Sequence, residues 1–225
     1  MMIKWIRRIR NSLGYGVQSP NDFFFVQHVL REETPYYSYD QLHEIMQLPT
    51  CLPHCSERVC RLLFRLANHV HPQTIVEVGT GAGYAACAMT MGSRASRCIT
   101  IDKHLTQEEL AERNRLLENF PQIEAMNGDE MVLFEKALRS VGHVDMLRIA
   151  HTPYYREMVD IALPYMKDTG LLVIEDIDGD DDRHTWWQGL QERTQASICY
   201  DLNSMGLLFF DSVRYVTSYW VALRK

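Results

Sequence analysis

The glycine-rich stretch at residues 74–84 carries the clearest chemical signal in the sequence. It reads TIVEVGTGAGY, so an apolar run that contains one acid, Glu77, leads into Gly79, Gly81 and Gly83. Glycines at such a turn permit positive φ angles and place no Cβ between the backbone and a ligand. The stretch therefore predicts a buried strand, a ligand-binding loop and then a helix.

Two details of this loop argue against a dinucleotide as the ligand. The dinucleotide fingerprint has glycine or alanine at its sixth position, where this chain has Tyr84. Glu77 lies in the strand beside the position that a pyrophosphate would take, and its carboxylate would repel the phosphates. A carboxylate suits a ligand that carries ammonium and sulfonium groups. A nicotinamide-dependent oxidoreductase is therefore a disfavoured alternative.

An acid also ends the next apolar run of the chain. Asp102 closes the segment ITID, lies 23 residues beyond Gly79 and is followed by Lys103. Nucleotide-binding α/β folds place a ribose-binding carboxylate about 20 residues beyond the glycine-rich turn. We therefore expect Asp102 to bind the ribose of a ligand, a bidentate task that suits a carboxylate.

These motifs resemble those of the class I S-adenosylmethionine (SAM) dependent methyltransferases. The first family motif is an apolar strand, an acid, an apolar residue and G-x-G-x-G, and residues 77–83 match it without a gap. Asp102 matches the family's acid at the end of strand two, and residues 127–129, NGD, lie where the family has an acid near the adenine. Residues 162–176, ALPYMKDTGLLVIED, are similar to the family's approach to strand five. The resemblance covers residues 72–211.

The resemblance implies a SAM cofactor and a role for each matched residue. Glu77 would face the cofactor's amino group directly or through water, Asp102 would accept from both ribose hydroxyls, and Asp129 would accept from the adenine amine. The loop glycines and Thr80 would wrap the methionine part. The complete expected cofactor-binding set is Glu77, Gly79, Thr80, Gly81, Gly83, Tyr84, Asp102, Lys103, Gly128, Asp129 and Ala150.

The methyl acceptor should bind beyond the carboxyl ends of the strands, as ligands do in open α/β sheets. His151 follows predicted strand four, and Asp176 follows predicted strand five. A hydroxyl acceptor must lose its proton to a base or to a metal. One interpretation makes His151 the general base for a small hydroxylated or carboxylated acceptor, with Asp176 as an orienting acid. The equally open alternative is that His151 caps the next helix, which Thr152 and Pro153 would begin.

Other acceptor chemistries and a non-catalytic role stay open. The cation-dependent catechol-type O-methyltransferases hold a metal with acids after strands four and five. This chain keeps Asp176 but has Ala150 in place of the first acid, so we predict no metal. Residues 151–154, HTPY, are similar in their last two positions to the Asn/Asp-Pro-Pro-Tyr motif of amino-group methyltransferases. The missing acid also leaves room for a SAM-binding module without catalysis.

Two further groups have residue types that bind metals in other proteins. Cys51, His54, Cys55 and Cys60 lack the paired C-x-x-C spacing of structural zinc sites. The acidic run at residues 176–182 has its glycine misplaced for a calcium-binding EF-hand. We interpret the cysteines as reduced thiols and the acidic run as a solvated loop.

Apolar β-rich runs alternate with helical stretches from residue 72 onward. The runs span residues 74–78, 98–101, 123–126, 144–149 and 171–174, followed by an antiparallel hairpin formed by residues 196–202 and 207–211. Strands separated by helices form a parallel sheet covered on both faces, with right-handed crossovers. The expected fold is a Rossmann-like three-layer α/β sandwich with a mostly parallel seven-stranded sheet that ends in an antiparallel hairpin.

Cap residues mark several expected helix boundaries. Thr106 and Glu109 form a capping-box pair, and Ser19 before Pro20 predicts another helix start. Gly170 should end the helical region before strand five.

Residues 1–70 form a predicted helical extension in front of the cofactor-binding domain at residues 71–225. The first 13 residues mix apolar and basic side chains and predict an amphipathic helix. We expect this helix to pack on its own domain or on a dimer partner, with a membrane surface as the alternative. Tyr36, Tyr37 and Tyr39 would form a lid over a planar acceptor or pack internally.

Composition and charge exclude several classes of function. The 225 residues are 46% hydrophobic and 23% charged, as in an ordinary globular α/β domain. A net charge of −6 and a pI near 5.8 argue against nonspecific electrostatic binding to nucleic acid. Neither a bilayer-spanning stretch nor a secretory signal is expected. We predict a cytoplasmic protein whose partner is a small-molecule acceptor. A homodimer is an open alternative to a monomer, since the sequence does not determine the oligomeric state.

Overall fold

The chain groups into two compact units in a computed structural model. The residues described are 2–93, 97–194, 196–211 and 213–223. We call residues 34–165 the central unit, and residues 1–33 together with 166–225 the terminal unit. Among the described residues, no helix combines the length and the apolar character needed to cross a membrane. The predicted domain boundary at residue 70, the homodimer and the cytoplasmic location stay predictions.

Helices and strands alternate along most of the chain. The α-helices are α1 (Met2–Ser12), α2 (Pro20–Phe25), α3 (Tyr37–Met46), α4 (Glu57–Val70), α5 (Tyr84–Gly92), α6 (Gln107–Leu117), α7 (Glu130–Val141), α8 (Tyr155–Ala162) and α9 (Asp181–Thr194). One π-helical turn, Val26–Leu30, follows α2, and one 3-10 turn, Leu163–Tyr165, follows α8. The strands are β1 (Thr74–Val78), β2 (Arg97–Asp102), β3 (Ile123–Asn127), β4 (Val144–Ile149), β5 (Met166–Glu175), β6 (Ile198–Asp201), β7 (Met205–Phe209) and β8 (Thr217–Trp220). The α/β class is confirmed, with eight strands among the described residues where seven were expected.

The central unit is built on parallel strands in the order β3-β2-β1-β4. All four lie within one residue of the predicted apolar runs. Continuous burial between two layers of helices selects continuous apolar sequence, which is why these strands were predictable. The parallel register brings the carboxyl ends of β1, β2 and β4, and the loops that follow them, to one edge.

Cap residues and small side chains explain the helices of the central unit. The predicted capping box of Thr106 and Glu109 is confirmed at the start of α6. Ser56 caps α4 by accepting a hydrogen bond from the Val59 N–H. Helix α5 is rich in alanine, so it lies almost wholly buried and packs closely against α4. The glycine-rich loop therefore leads into a rigid helix.

The terminal unit combines antiparallel and parallel pairing. Its strand order is β5-β7-β6-β8, with β7 antiparallel to both neighbours and β8 parallel to β6. The predicted hairpin is therefore confirmed as β6 and β7, and Asn203 in its turn has a φ angle of 80°. Strand β8 was not predicted, because its four residues carry no long apolar run.

The predicted helix end at Gly170 is wrong. Gly170 lies inside β5, which begins at Met166, and its carbonyl accepts a hydrogen bond from the Phe210 N–H at 3.1 Å. The apolar run that the sequence displays starts only at Leu171, so the polar first half of the strand has no sequence signal. Asp168 and Thr169 are exposed, so burial does not select apolar residues in that half.

Helix α1 packs on its own chain. Arg8 pairs with Asp201 at 3.0 Å, and the Ser12 hydroxyl accepts a hydrogen bond from the Ala222 N–H at 2.7 Å. These contacts fit the predicted packing of the basic helix on its own domain. Met1, the first residue of that predicted helix, lies outside the described residues.

A buried acid ties α2 to the strands of the terminal unit. Ser19 caps α2 as predicted, and three residues later the Asp22 carboxylate accepts from the Tyr200 and Tyr219 hydroxyls, both at 3.1 Å, and from Arg214. Burial raises the pKa of both tyrosine hydroxyls, so both stay protonated and donate. Because Asp22 is itself buried, these donors replace the hydrogen bonds that water would give its carboxylate.

We expect Asp22→Asn to lower the free energy of unfolding by about 1–3 kcal/mol, the range for losing hydrogen bonds to a buried charged group. Urea unfolding followed by circular dichroism measures the change. The matched control is Asp40→Asn, since Asp40 is an exposed acid on α3. The control should change stability by less than about 0.5 kcal/mol. An equal effect in both variants would contradict the role assigned to Asp22.

Candidate functional site

A cavity of about 370 Å³ opens above the glycine-rich loop of the central unit. Its walls come from that loop, from the end of β2, from the end of β4 and from residues 51–55 before α4. The volume lies in the range of small-molecule and cofactor sites. Of the predicted cofactor-binding set, the residues that line it are Gly79, Thr80, Gly81, Tyr84, Asp102 and Lys103.

Two glycines of the loop have no room for a side chain. Gly79 and Gly81 have φ angles of 89° and 52°, in the left-handed region that favours glycine. A Cβ on Gly79 would collide with the Ala150 carbonyl oxygen, and a Cβ on Gly81 would collide with the Pro53 carbonyl oxygen. The latter carbonyl also accepts a hydrogen bond from the Ala82 N–H at 2.9 Å. Backbone contacts from two other segments therefore fix the shape of the cavity floor.

Glu77 lies beneath this floor in a buried ion pair. One carboxylate oxygen accepts from Arg148 at 2.6 Å, the other accepts from the Thr100 hydroxyl at 2.5 Å, and Glu77 has no exposed surface. Arg148 lines the cavity, and the Thr80 hydroxyl lies 2.6 Å from that of Thr100. Arg148, whose charge Glu77 balances, therefore joins this buried network to the cavity. A direct or water-mediated contact with a cofactor amino group stays a prediction.

Sequence reasoning missed Arg148, although a signal was present. An arginine lies in the buried part of the strand VDMLRI, and β4 pairs with β1 so that Arg148 lies directly opposite Glu77. A charged residue in a buried strand needs a partner of opposite charge. The buried charges of Glu77 and Arg148 were visible in the sequence, but the strand order that pairs them came only from the structure.

Asp102 lies at the end of β2 with its carboxylate already oriented. One oxygen accepts from the Gly81 N–H at 2.7 Å and the other accepts from the Lys103 N–H at 2.9 Å. Asp102 is buried except where it lines the cavity. Each carboxylate oxygen can accept a second hydrogen bond, so the group can still bind two hydroxyls.

The turn after β3, which was predicted to bind the adenine, is not among the described segments that line the cavity. The exposed Asp129 carboxylate caps α7 by accepting from the Val132 N–H at 2.9 Å. Neither Gly128 nor Asp129 is among the described residues that line the cavity. Asn127 accepts from the Leu105 N–H at 2.8 Å and so fixes the turn after β2, which does line it. The adenine contact of Asp129 stays a prediction.

The structure changes the interpretation of the segment after β4. His151 is exposed, lines the cavity and has a φ angle of 51°. The predicted helix start at Thr152 is wrong, because the Thr152 hydroxyl accepts from the Tyr154 N–H in a turn and α8 begins at Tyr155. Tyr154 is the N-cap of α8, so the helix-capping alternative for His151 is wrong as well.

Glu130 is a second cavity residue that sequence reasoning missed. It is the first residue of α7 and accepts a hydrogen bond from the Thr152 hydroxyl at 3.1 Å. Burial raises the pKa of Glu130, while the hydrogen bond from Thr152 opposes that change. No local motif marks this residue, which lies at the cavity beside Thr152 in the segment after β4.

Asp176, the predicted partner of His151, belongs to the terminal unit. It follows β5 with a φ angle of 60°, and its exposed carboxylate lies 3.6 Å from Arg183. An orienting role toward His151 stays a prediction. Among the described residues, no three His, Cys, Asp or Glu side chains are grouped to hold a metal ion.

The tyrosines at the start of α3 are mostly packing residues. Tyr36 and Tyr39 lie against Phe64, with ring centroids 5.1 and 5.5 Å away, and Tyr39 accepts from Arg65 at 3.1 Å. Tyr37 is 97% exposed. Two of the three rings therefore pack in the core of the central unit, and the lid over an acceptor stays a prediction. Residues 51–55 line the cavity above the glycine-rich loop, and these tyrosines are not among the described residues that line it.

Solved structures match the fold of this chain. Neither a protein family nor a curated protein matches the sequence. The SAH-bound methyltransferase PaMTH1 of Podospora anserina has a TM-score of 0.59 at 15% identity, covering 80% of this chain and 90% of that one. The SAM-bound O-methyltransferase TomG of Streptomyces achromogenes, involved in tomaymycin synthesis, has a TM-score of 0.58 at 18% identity, with coverages of 84% and 95%.

A third structure extends the comparison. An O-methyltransferase from Bacillus cereus in complex with SAH has a TM-score of 0.53 at 14% identity, covering 81% of this chain and 96% of that one. The chain therefore has the fold of class I SAM-dependent methyltransferases, and the expected resemblance is confirmed at the level of fold.

Proposed function

We propose that this chain is a SAM-dependent methyltransferase that methylates an oxygen atom of a small-molecule acceptor. The observation that carries the proposal is the orientation of Asp102 by the Gly81 and Lys103 N–H groups at the cavity above the glycine-rich loop. That arrangement suits a ribose bound over a loop that admits no side chain at Gly79 or Gly81. Solved proteins with this fold bind SAM or SAH, which supports the same cofactor here.

The residues around the cavity fit a cofactor with a ribose and a cationic amino acid end. Asp102 supplies two acceptors for the ribose hydroxyls, and Thr80 lies beside the buried network of Thr100, Glu77 and Arg148. The buried Glu77 carboxylate balances the charge of Arg148, so the floor adds no large net positive charge beneath a sulfonium. The remaining proposed cofactor contacts are Gly83, Tyr84, Gly128, Asp129 and Ala150.

In the proposed reaction, His151 removes the proton of the acceptor hydroxyl. When bound, SAM supplies an activated methyl group on a sulfonium. The acceptor hydroxyl would lie against His151, whose imidazole nitrogen takes the hydroxyl proton as the oxygen attacks. Residues 51–55 cover one side of the cavity and reduce its access to water, which strengthens charge interactions inside it.

We expect Asp102→Ala to weaken SAH binding by about 1.5–3 kcal/mol, because hydrogen bonds to a charged acceptor contribute on that scale. Isothermal titration calorimetry measures the affinity, and circular dichroism checks that the fold survives. Asp40→Ala, which removes an exposed acid on α3, should leave the affinity unchanged.

The same titration separates the alternatives. Binding of NAD without binding of SAH would refute the proposal and favour an oxidoreductase. SAH binding that is equal in the wild type and in Asp102→Ala would remove Asp102 from the ribose site. SAH binding without methyl transfer to any of a panel of hydroxylated, carboxylated and amine acceptors would favour the non-catalytic module, which the alanine at position 150 leaves open.

A further inference from the structure

Two cysteine sulfurs are in contact at the wall of the cavity above the glycine-rich loop. The Sγ atoms of Cys55 and Cys60 lie 3.0 Å apart, and both thiols are free. Cys55 is half-buried and lines the cavity, whereas Cys60 has no exposed surface. The proposed methyl transfer uses neither thiol, so the pair has no role in the chemistry described above.

The capped start of α4 explains why the two sulfurs meet. Ser56 is the N-cap of this helix, and its carbonyl accepts a hydrogen bond from the Cys60 N–H at 3.0 Å. Cys55 therefore precedes the cap, and Cys60 is the fourth residue of the helix. Side chains at these two positions often pack together at a capped helix start. The folded backbone thus holds the two sulfurs within reach of a disulfide bond.

The two thiols differ in their access to small molecules. The hydrogen bond with Cys55 and the burial of Cys60 both raise the pKa of the Cys60 thiol above its usual value, so Cys60 keeps its proton and donates it to the Cys55 sulfur. Cys55 lines the cavity, and a small oxidant that enters the cavity can approach it there. Cys55 is therefore the thiol that an oxidant meets first, with Cys60 directly behind it.

We propose that Cys55 and Cys60 are a redox-active pair, which a hydroperoxide converts into a reversible disulfide at the wall of the cavity. Cysteines that respond to oxidants are accessible and lie beside a second thiol that completes the disulfide. Cys55 and Cys60 meet both conditions. The bond would tie residues 51–55 covalently to α4. The proposal concerns the thiols alone and does not rest on the proposed methyltransferase activity.

The oxidation takes two steps. With hydrogen peroxide, the Cys55 sulfur attacks one peroxide oxygen, the O–O bond breaks, and Cys55 becomes a sulfenic acid while one water leaves. The Cys60 sulfur then attacks the Cys55 sulfur, the S–O bond breaks, and the departing hydroxide takes the Cys60 proton to form a second water. The two thiols lose two electrons in total, and the peroxide gains them. A dithiol reductant restores both thiols by exchange and is itself oxidised to a disulfide.

Peptide mapping of the full chain tests the pair. The chain is treated with hydrogen peroxide, the remaining thiols are blocked with iodoacetamide, and the protein is digested without reductant. Trypsin cleaves after Arg58, between the two cysteines, so the disulfide would join peptide 32–58 to peptide 59–61. We expect the joined peptides in the oxidised wild type and their loss after treatment with dithiothreitol. The mass of the undigested protein should be that of one chain, which excludes a bond between two copies.

Three variants assign the sulfurs. Cys51 is the matched control, because it is exposed, lines the same cavity and lies in the same peptide 32–58 as Cys55. Cys51→Ser should form the joined peptides at a rate within about twofold of the wild type, whereas Cys55→Ser should form them at least about tenfold more slowly. Cys60→Ala should stop at the sulfenic acid of Cys55, which dimedone traps. If Cys60→Ala does not fold, the half-buried position in Cys55→Ser decides.

Two results would overturn the proposal. The first is the absence of joined peptides from the oxidised wild type, because the two sulfurs would then not complete a disulfide. The second is formation of the joined peptides in Cys55→Ser at the wild-type rate, which would show that Cys51 and not Cys55 reacts with Cys60.

Discussion

Replacing Arg148 with methionine is expected to lower the free energy of unfolding by about 3–5 kcal/mol, the scale for removing one partner of a buried ion pair. Arg148 and Glu77 are 2% and 0% exposed, and the pair joins β4 to β1 beneath the glycine-rich loop. Without Arg148, the Glu77 carboxylate keeps only the Thr100 hydroxyl among the partners described above. Urea unfolding followed by circular dichroism measures the loss.

A second ion pair in the same sheet gives the matched control. Arg97 and Glu124 join β2 to β3 at 2.8 Å, but their side chains are 50% and 48% exposed. Arg97→Met should therefore cost less than about 1 kcal/mol, since water solvates the acid that remains. The double variant Glu77→Met with Arg148→Met should lose less than the sum of the single losses, because it leaves no buried charge unpaired. Equal losses for Arg148→Met and Arg97→Met would contradict the burial argument.

Replacing His151 with alanine is expected to lower methyl transfer about 10²–10⁴-fold, as the loss of a general base does. The prediction depends on the proposed function and on an identified hydroxylated acceptor. His151 lines the cavity at the end of β4, and its positive φ turns the chain before α8 begins. Turnover under saturating acceptor and cofactor measures the effect.

The controls separate proton removal from binding. SAH affinity should stay within about threefold in His151→Ala, because a base for the acceptor proton need not contact the cofactor's ribose or adenine. His143→Ala, which removes an exposed histidine just before β4, should keep wild-type turnover. The remaining activity of His151→Ala should rise with pH as the acceptor ionises without help. Wild-type turnover in His151→Ala would end the proposed role as base.

The sequence alone predicted those elements whose signals lie within a few neighbouring residues. The run TIVEVGTGAGY predicted β1, the loop and the start of α5, because consecutive apolar residues and glycines act within a few residues of each other. The capping box at Thr106 and the cap at Ser19 were predictable for the same reason. Asp102 was predicted from its spacing, and the structure places it at the cavity.

Tertiary structure decided whatever depends on contacts between distant residues. Arg148 meets Glu77 only through the register of β4 against β1, and Pro53 limits Gly81 only because residues 51–55 fold back over the loop. The same holds for Glu130 at the cavity. These residues come from different elements, so no window of sequence contains both partners. The free energy that these contacts contribute depends on burial, and residues become buried only when helices and strands pack together.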